Sequence, residues 1–423
     1  MSLPGAYFSA RSVAALALGM ALAVAGAARA QTQWIGTWAA APQDVTSVAA
    51  PLGQGNFFPS FNGQTLREDI QASVGGAQVR VRFSNLFGSA PLHLAAASIG
   101  RRTGPDAMSP ATLKSLRFGG KRDVTIPPGA QAWSDPAPLA VQAGDALAVS
   151  LYLDRETLVG TAHHQPPNGT RVADGNQVMA PTWNGAARSM WNPFVTGLDV
   201  ASREPASVVV AFGDGITQGA LQLSGLPGDY PSRLAQRLQQ QRPATTGRAV
   251  AVLNAGIAGN SLLSAGAGAS GLGRFERDVL EQSGVTHVIV LIGVEDIAAI
   301  ESAGRASGGL PNDMAITAQI EAGLKDLMDR SRQHGKKIML GTLLPFKGSA
   351  KWSQRREIAR QAVNRWIRGR QAIDGVIDFD AALRSKADPQ MLDPRFDSGD
   401  HFHPGEAGYA AMASAVDLGK LRK

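Results

Sequence analysis

The sequence predicts two folded domains, an all-β sandwich followed by an α/β domain with a five-stranded parallel sheet. Up to about residue 205, short polar–apolar alternations are separated by turn residues. From Ser207 onward, apolar runs alternate with helical stretches. The 423 residues, 44% of them hydrophobic, suffice for two cores. We therefore expect domains at residues 31–205 and 206–423.

The first of these domains is predicted from strand and turn signals. The segment from Gln78 to Phe83 alternates polar and apolar residues, as a half-buried strand does. Asp145 to Leu153 is a longer apolar run that follows a turn at Ala143-Gly144. Pro127-Pro128-Gly129 marks a further turn. Several short strands separated by turns indicate a β-sandwich.

The second domain is predicted from alternating strands and helices. Such alternation implies a parallel sheet with helices on both faces, and ligands then bind beyond the carboxyl ends of the strands. The predicted strands are Ser207–Phe212, Ala249–Leu253, His287–Ile292, Lys337–Leu344 and Gly375–Phe379, and the predicted helices include Tyr230–Leu238, Met314–Arg332 and Gln354–Arg370.

The first thirty residues have the pattern of an export signal. Arg11 precedes an apolar run from Val13 to Ala25, and Ala28-Arg29-Ala30 has the small residues of a cleavage site. The run is shorter than the ~20 residues that span a bilayer, and no later segment is apolar for long enough. We therefore expect a cleaved signal peptide at residues 1–30 and an exported protein, periplasmic or secreted, with no membrane span.

Charge and cysteine content exclude several classes of protein. The net charge is +7, but the basic residues are scattered rather than clustered as in a nucleic-acid binder. Their densest stretch, Arg355 to Arg370, alternates with Ile358, Val363 and Ile367, as the solvated face of a helix does. The absence of cysteine excludes disulfides, thiol catalysis and cysteine zinc sites. We expect no nucleic-acid partner.

Polar segments follow the predicted strands. They are Gly213-Asp214-Gly215 after the first strand, Asn254 to Asn260 after the second, Gly293-Val294-Glu295-Asp296 after the third, and Asp397 to Pro404 near the C-terminus.

The last of these segments suggests hydrolytic chemistry. Asp400 and His403 stand three residues apart, and a carboxylate that holds an imidazole is half of a hydrolytic triad. With His401 the same segment could hold a metal ion, but that alternative needs a further ligand from elsewhere in the chain. We predict no metal and no cofactor.

Together the four segments resemble the signature blocks of the SGNH/GDSL hydrolase family, from Ser207 to the C-terminus. The run from Trp34 to Gln43 and Gln64-Thr65-Leu66-Arg67 resemble the β-rich N-terminal module of one bacterial branch of that family. The resemblance implies a flavodoxin-like three-layer α/β/α domain behind a jelly-roll-like sandwich. It also implies a lipase or esterase that acts on carboxylic esters.

The resemblance assigns roles by position. It makes Asp400 the orienting acid, His403 the base and Gly259 an oxyanion donor, with Asn260 beside it at the substrate. The family's nucleophilic serine corresponds to Gly215, whose amide can still donate to an oxyanion. The family's oxyanion asparagine corresponds to Glu295.

These two departures predict strongly impaired catalysis. Gly215 has no side-chain oxygen, so no acyl-enzyme can form there. An ionised Glu295 only accepts hydrogen bonds and repels an oxyanion, and a protonated Glu295 could donate only if burial raised its pKa. The protein is therefore either an impaired ester hydrolase or a pseudoenzyme that binds a small ester or an acylated carbohydrate.

Other groups could supply the missing chemistry. Thr217, Ser261 or Ser264 could replace the nucleophile, or a water activated by the Asp400–His403 pair could attack directly. Glu295 with Asp400 could instead form a carboxylate pair, as in glycoside cleavage.

A further alternative is glycan binding by the sandwich. Trp34, Trp38 and Trp133 could stack on sugars, although large aromatic residues of a sandwich usually pack inside.

Overall fold

The computed structural model describes Met1 and residues 32–45, 60–164, 169–183, 186–189, 191–219, 228–241, 248–300, 313–370 and 373–422. The predicted signal peptide, apart from Met1, lies outside the described residues. Within these ranges no helix is long and apolar enough to cross a membrane.

The N-terminal part is β-rich, and its two largest sheets are antiparallel, as predicted. Its strands are β1 (Gln33–Ala39), β2 (Gln43–Asp44), β3 (Ser60–Phe61), β4 (Gln64–Gln71), β5 (Val79–Ser84), β6 (Leu92–Leu94), β7 (Ala96–Arg101), β8 (Lys114–Ser115), β9 (Val124–Ile126), β10 (Gln131–Trp133), β11 (Ala146–Leu153), β12 (Thr157–Leu158), β13 (Thr161–His164), β14 (Arg171–Asp174), β15 (Ala187–Arg188), β16 (Trp191–Pro193) and β17 (Val195–Ser202). One sheet has the order β1-β17-β5-β10 and the other β15-β14-β4-β11-β7-β8. Smaller sheets pair β12 with β3 and β6 with β9, and a three-stranded sheet has the order β16-β13-β2.

The C-terminal part contains the predicted five-stranded parallel sheet. Its strands are β18 (Ala206–Gly213), β19 (Ala249–Gly256), β20 (Val285–Leu291), β21 (Lys337–Gly341) and β22 (Gly375–Ile377), in the order β19-β18-β20-β21-β22. Strand β18, the first of these five strands in sequence, lies inside the sheet, so its carboxyl end lies between those of β19 and β20. This is the flavodoxin-like order that the resemblance implied.

Helices complete the α/β/α layers. They are α1 (Gly215–Gln218), α2 (Tyr230–Gln240), α3 (Gly271–Phe275), α4 (Val294–Ala298), α5 (Asp313–Gln333), α6 (Gln354–Arg368), α7 (Phe379–Leu383), α8 (Glu406–Ala415) and α9 (Leu418–Leu421), with a π-helical turn at Glu276–Leu280 and a 3₁₀ turn at Pro110–Thr112. Helix α2 packs against α8, and α5 packs against α6.

The ends of several predicted elements differ from the structure, and the fourth strand, which was expected to reach Leu344, ends at Gly341. The fifth strand was expected to reach Phe379 but ends at Ile377, because Asp378 caps helix α7 by accepting a hydrogen bond from the amide of Ala381. The helix expected to reach Arg370 ends at Arg368. A side-chain cap such as that of Asp378 depends on the local backbone, so the pattern of apolar residues does not predict where the strand ends.

The two parts of the chain pack directly against each other. The Gly36 amide donates to the Ser283 carbonyl at 2.9 Å, and the Val252 amide donates to the Ser73 hydroxyl at 3.1 Å. The proposed boundary at residue 205 falls in the connection between β17 and β18. The N-terminal sheets therefore support the α/β domain beside strand β19.

Candidate active site

The nucleophile position lies at the carboxyl end of strand β18. Asp214 caps helix α1, and its Oδ1 accepts a hydrogen bond from the Ile216 amide at 3.0 Å. Gly213 must be a glycine, because a Cβ there would lie 2.3 Å from the carbonyl oxygen of Leu291. Gly215 is the first residue of the helix and is buried. The sharp turn that would present a serine is therefore intact, while the hydroxyl is missing.

The second segment, Asn254 to Asn260, supplies a turn at Gly259, but the Asn260 side chain is not free to bind a substrate. Gly259 has a φ of +73°, in the left-handed region that favours glycine. The Asn260 side chain is fully buried: its Nδ2 donates to the Ala269 carbonyl at 2.8 Å, and its Oδ1 accepts from Arg274 at 2.9 Å. We expected Asn260 to meet the substrate, but both ends of its amide are used within the loop. It acts as a positioning residue.

Arg274 is a buried organising residue that the sequence analysis missed. It is fully buried and donates to the carbonyl oxygens of Ala255 and Gly213, both at 2.8 Å. It also pairs with the buried carboxylate of Asp278 at 3.1 Å. Burial lowers the pKa of Arg274 to about 10. One guanidinium thus joins the carboxyl ends of β18 and β19 below the site.

At the third segment, Glu295 forms an ion pair with Lys351. The Lys351 Nζ lies 2.6 and 2.7 Å from the two carboxylate oxygens and 4.5 Å from the centroid of the Phe402 ring. Because both oxygens accept hydrogen bonds from the ammonium, neither is placed to donate one to an oxyanion. Lys351 belongs to none of the segments that the sequence pattern pointed to.

Asp296, next to Glu295, fixes the position of this segment. Its two carboxylate oxygens accept hydrogen bonds from the amides of Leu262 and Leu263, at 2.7 and 2.9 Å. These two residues follow Gly259 in the chain by three and four positions. Asp296 therefore ties the third segment to the loop that carries Gly259.

The Asp400–His403 pair is assembled. The Asp400 Oδ2 lies 2.6 Å from His403 Nδ1, and Oδ1 accepts hydrogen bonds from the amides of Phe402 and His403 and from the Ser398 hydroxyl. Partial burial acts to raise the pKa of Asp400, but these hydrogen bonds outweigh it and lower the pKa overall. With Nδ1 held, Nε2 is the nitrogen left for a reactant.

Phe402 brings the third segment and the C-terminal segment together. Its ring packs edge-on against the neighbouring His403 imidazole at 4.9 Å and lies under the Lys351 ammonium. The Glu295–Lys351 pair and the Asp400–His403 pair therefore border the same place.

A second carboxylate–imidazole pair lies in the same loop. His401 Nδ1 is 2.5 Å from the Asp397 carboxylate, and the backbone of His401 is left-handed, with a φ of +60°. His401 and His403 thus contact different carboxylates. Among the described residues, no three histidine, aspartate or glutamate side chains are grouped as metal ligands.

The electrostatics at Gly215 disfavour negative charge. Asp214 is 1% exposed, and burial together with the nearby charge of Glu295 raises its pKa to about 8. Its Oδ2 is buried and has no hydrogen-bond partner within the described ranges. Two acidic groups thus lie near the place where an oxyanion hole would gather donors.

The three hydroxyl groups considered as replacements for the missing nucleophile are not joined to the candidate base, His403, by a hydrogen bond. Thr217 is fully buried, Ser264 is exposed and Ser261 is half-buried. In the part of the chain that the structure describes, none of these hydroxyls hydrogen-bonds His403, whose side-chain partner is Asp400. Glu295 and Asp400 likewise have separate partners, which does not favour a glycosidase-like carboxylate pair.

Two of the tryptophans considered for glycan stacking contact an arginine. Trp34 and Trp133 are half-buried, and the Arg80 guanidinium carbon lies 4.6 and 4.2 Å from their ring centroids. Trp38 is also half-buried and lines a cavity between the two parts of the chain.

The C-terminal part of the chain is similar to known proteins. The family described as GDSL-like lipase/acylhydrolase matches residues 211–411. Similar solved structures include an acetylxylan esterase from Geobacillus stearothermophilus, with 22% identity, a TM-score of 0.38 and coverage of 52% of this chain and 95% of that one. A GDSL-like lipase from Bacteroides thetaiotaomicron has 18% identity, a TM-score of 0.35 and coverage of 50% and 87%. Comparison with curated proteins found no match.

The matched residues extend from the last residues of strand β18 into helix α8 and include Gly215, Glu295, Asp400 and His403. Residues 211–411 of this chain therefore form a GDSL-like lipase/acylhydrolase domain.

Proposed function

We propose that this chain is an exported ester hydrolase of the GDSL type in which the serine mechanism has been lost. The observation that carries the proposal is the assembled Asp400–His403 pair beside a glycine at the nucleophile position. The base and its orienting acid are in place, whereas the group they would activate is missing. Normal acyl-enzyme chemistry is thereby closed.

The chemistry that these residues still support is direct attack by water. His403 Nε2 would take a proton from a water molecule as its oxygen attacks the ester carbonyl. The tetrahedral intermediate would then break its C–O bond to the alcohol, and His403 would return the proton to the leaving alcohol. The amides of Gly215 and Gly259 would be the remaining oxyanion donors. Loss of a triad nucleophile costs about 10⁶ in turnover, and loss of one oxyanion donor about 10²–10³. We therefore expect slow hydrolysis at most.

The second candidate function is binding of a small ester or an acylated carbohydrate without cleavage. The Glu295–Lys351 pair favours it, because this pair replaces a neutral donor with a carboxylate whose oxygens are both engaged. A site of this kind can hold a neutral ligand while opposing the charge that develops during ester cleavage.

Hydrolysis of p-nitrophenyl acetate distinguishes these functions. The mature chain is compared with His403→Ala, and the exposed His334→Ala serves as the matched histidine control. A rate that disappears only in His403→Ala supports water-based hydrolysis. Equal background rates in all three proteins support the binding function.

Export is part of the proposal and has its own experiment. The full chain is expressed in a bacterium with a functional export pathway, and the N-terminus of the accumulated protein is determined by mass spectrometry. We expect the mature protein to begin just after Ala30. Accumulation of the uncut chain in the cytoplasm contradicts the predicted signal peptide.

A further inference from the structure

A cavity of about 450 Å³ lies between the N-terminal sheets and the α/β domain. One wall comes from the ends of strands β1 and β4, and the other from helix α2 and strand β19. Gly215, Glu295 and His403 do not line it. Its size is in the range of small-ligand sites, which are common at domain interfaces.

His163 offers this cavity a hydrogen-bond acceptor. The side chain is 6% exposed, and its Nδ1 lies 2.9 Å from the Ala41 carbonyl oxygen. Because a carbonyl only accepts, Nδ1 carries the hydrogen and Nε2 is the acceptor. Burial lowers the pKa of His163 to about 4, so the ring is neutral at neutral pH. A ligand must therefore bring a donor to Nε2.

The cavity lining holds two arginines, Arg102 and Arg188, and two aspartates, Asp69 and Asp229, so its formal positive and negative charges are equal in number. The Asp69 carboxylate pairs with Arg102 at 3.0 Å and also with Arg171. Gln71 lies two residues further on, on the same face of strand β4, and its amide has both a donor and an acceptor. Within the described residues the Gln71 side chain makes no hydrogen bond. This wall offers donors and acceptors together with paired charges.

We infer that this cavity binds a neutral polyhydroxylated ligand, namely a short sugar. A hydroxyl group both donates and accepts, so hydroxyls can donate to His163 and Asp69 and accept from Arg102 and Gln71. The half-buried Trp38 ring lines the same cavity and provides a flat apolar surface for the C–H face of a sugar ring. An apolar ligand would cover His163 Nε2 and the Gln71 amide without giving either of them a hydrogen-bond partner.

The cavity adjoins the nucleophile helix without being part of the active site. Gln218 lines the cavity, donates to the His164 carbonyl at 2.6 Å and accepts from the Ala258 amide at 2.5 Å. It stands three residues after Gly215, about 4.5 Å along a helix axis. The sugar site goes beyond the proposed ester chemistry and does not depend on it.

Sugar binding is measured on the full mature chain by saturation-transfer NMR and by tryptophan fluorescence. The probes are xylobiose, cellobiose and maltose. We expect saturable binding of at least one of them. Gln71→Ala should weaken that binding about threefold to tenfold, the effect of losing one neutral hydrogen bond. Ala235→Phe, which fills the cavity from helix α2, should abolish it.

Two control variants test whether the loss of sugar binding is specific to the cavity. Gln131→Ala removes an exposed amide outside the cavity, and His403→Ala removes the candidate base; both should bind the sugar as the unchanged chain does. Thermal melting identifies any variant that fails to fold. The inference is overturned if none of the three sugars binds at concentrations well above about 1 mM, or if Gln71→Ala and Ala235→Phe both leave the Kd unchanged.

Discussion

Lys351 holds the carboxylate of Glu295 through both of its oxygens, at 2.6 and 2.7 Å. The pair occupies the place where the resemblance expects a neutral asparagine that donates to an oxyanion. The lysine side chain is 42% exposed and the glutamate side chain 15%, so the pair lies at the rim of the site rather than in the core. The departure at Glu295 therefore comes with a second residue that accommodates it.

Replacing Glu295 with asparagine should restore an oxyanion donor. We expect Gly215→Ser/Glu295→Asn to hydrolyse p-nitrophenyl acetate about 10²-fold faster than Gly215→Ser alone, the usual effect of one such donor. Glu295→Gln is the matched control, since it also removes the charge but has a longer side chain. Equal kcat values for Gly215→Ser with and without Glu295→Asn would show that this position does not serve the oxyanion.

Arg274 should be a major stability residue of the site. We expect Arg274→Ala to lower the free energy of unfolding by about 3 kcal/mol or more, because it removes the buried donor to Asn260 and Ala255 and leaves the buried Asp278 carboxylate with only the half-buried Arg277. Urea denaturation provides the measurement. Arg277→Ala is the control, because Arg277 pairs with the same carboxylate from a half-buried position. A similar small loss in both variants would contradict the role given to Arg274.

Asp214 should make the protein less stable as the pH rises. An unfolded aspartate loses its proton near its usual pKa of about 3.9, whereas the folded-state pKa is about 8. Between these values the folded state keeps a proton that the unfolded state has lost, so the free energy of unfolding falls as the pH increases. The slope for one group reaches about 1.4 kcal/mol per pH unit.

Asp214→Asn removes this titration while preserving an oxygen that can cap helix α1. We expect the variant to gain stability relative to the unchanged chain between about pH 5 and about pH 8, measured by urea denaturation. Asp135→Asn is the control, because amide donation from Gly120 and Gly119 lowers the pKa of Asp135. A stability difference that does not change with pH would rule out the raised pKa of Asp214.

The parallel sheet could be predicted because each strand is a buried apolar run. Strand β20, for example, runs through Val285–Leu291 and is almost wholly buried. Such an apolar run can be recognised in the sequence without knowing which distant residues it packs against. The pairing of Asp400 with His403 could be predicted as well, since the two residues stand only three positions apart in the chain.

The partners of the site residues could not be predicted in the same way. Lys351 reaches Glu295 across 56 positions of the chain, and Arg274 joins the ends of two strands through backbone carbonyls. A basic residue in a sequence gives no indication that it is buried. Asn260 was placed at the substrate because it neighbours Gly259, but the direction of its side chain is set by the loop fold.

The missing nucleophile at Gly215 and, to a smaller degree, the carboxylate of Glu295 separate this site from a working serine esterase frame. The most direct measurement is p-nitrophenyl acetate hydrolysis by the unchanged chain, Gly215→Ser and Gly215→Ser/His403→Ala. We predict that Gly215→Ser raises the rate by about 10³-fold or more, below the full effect of a nucleophile because Glu295 remains, and that His403→Ala removes the gain. A folded Gly215→Ser protein with no gain, or with a gain that persists without His403, would contradict the account.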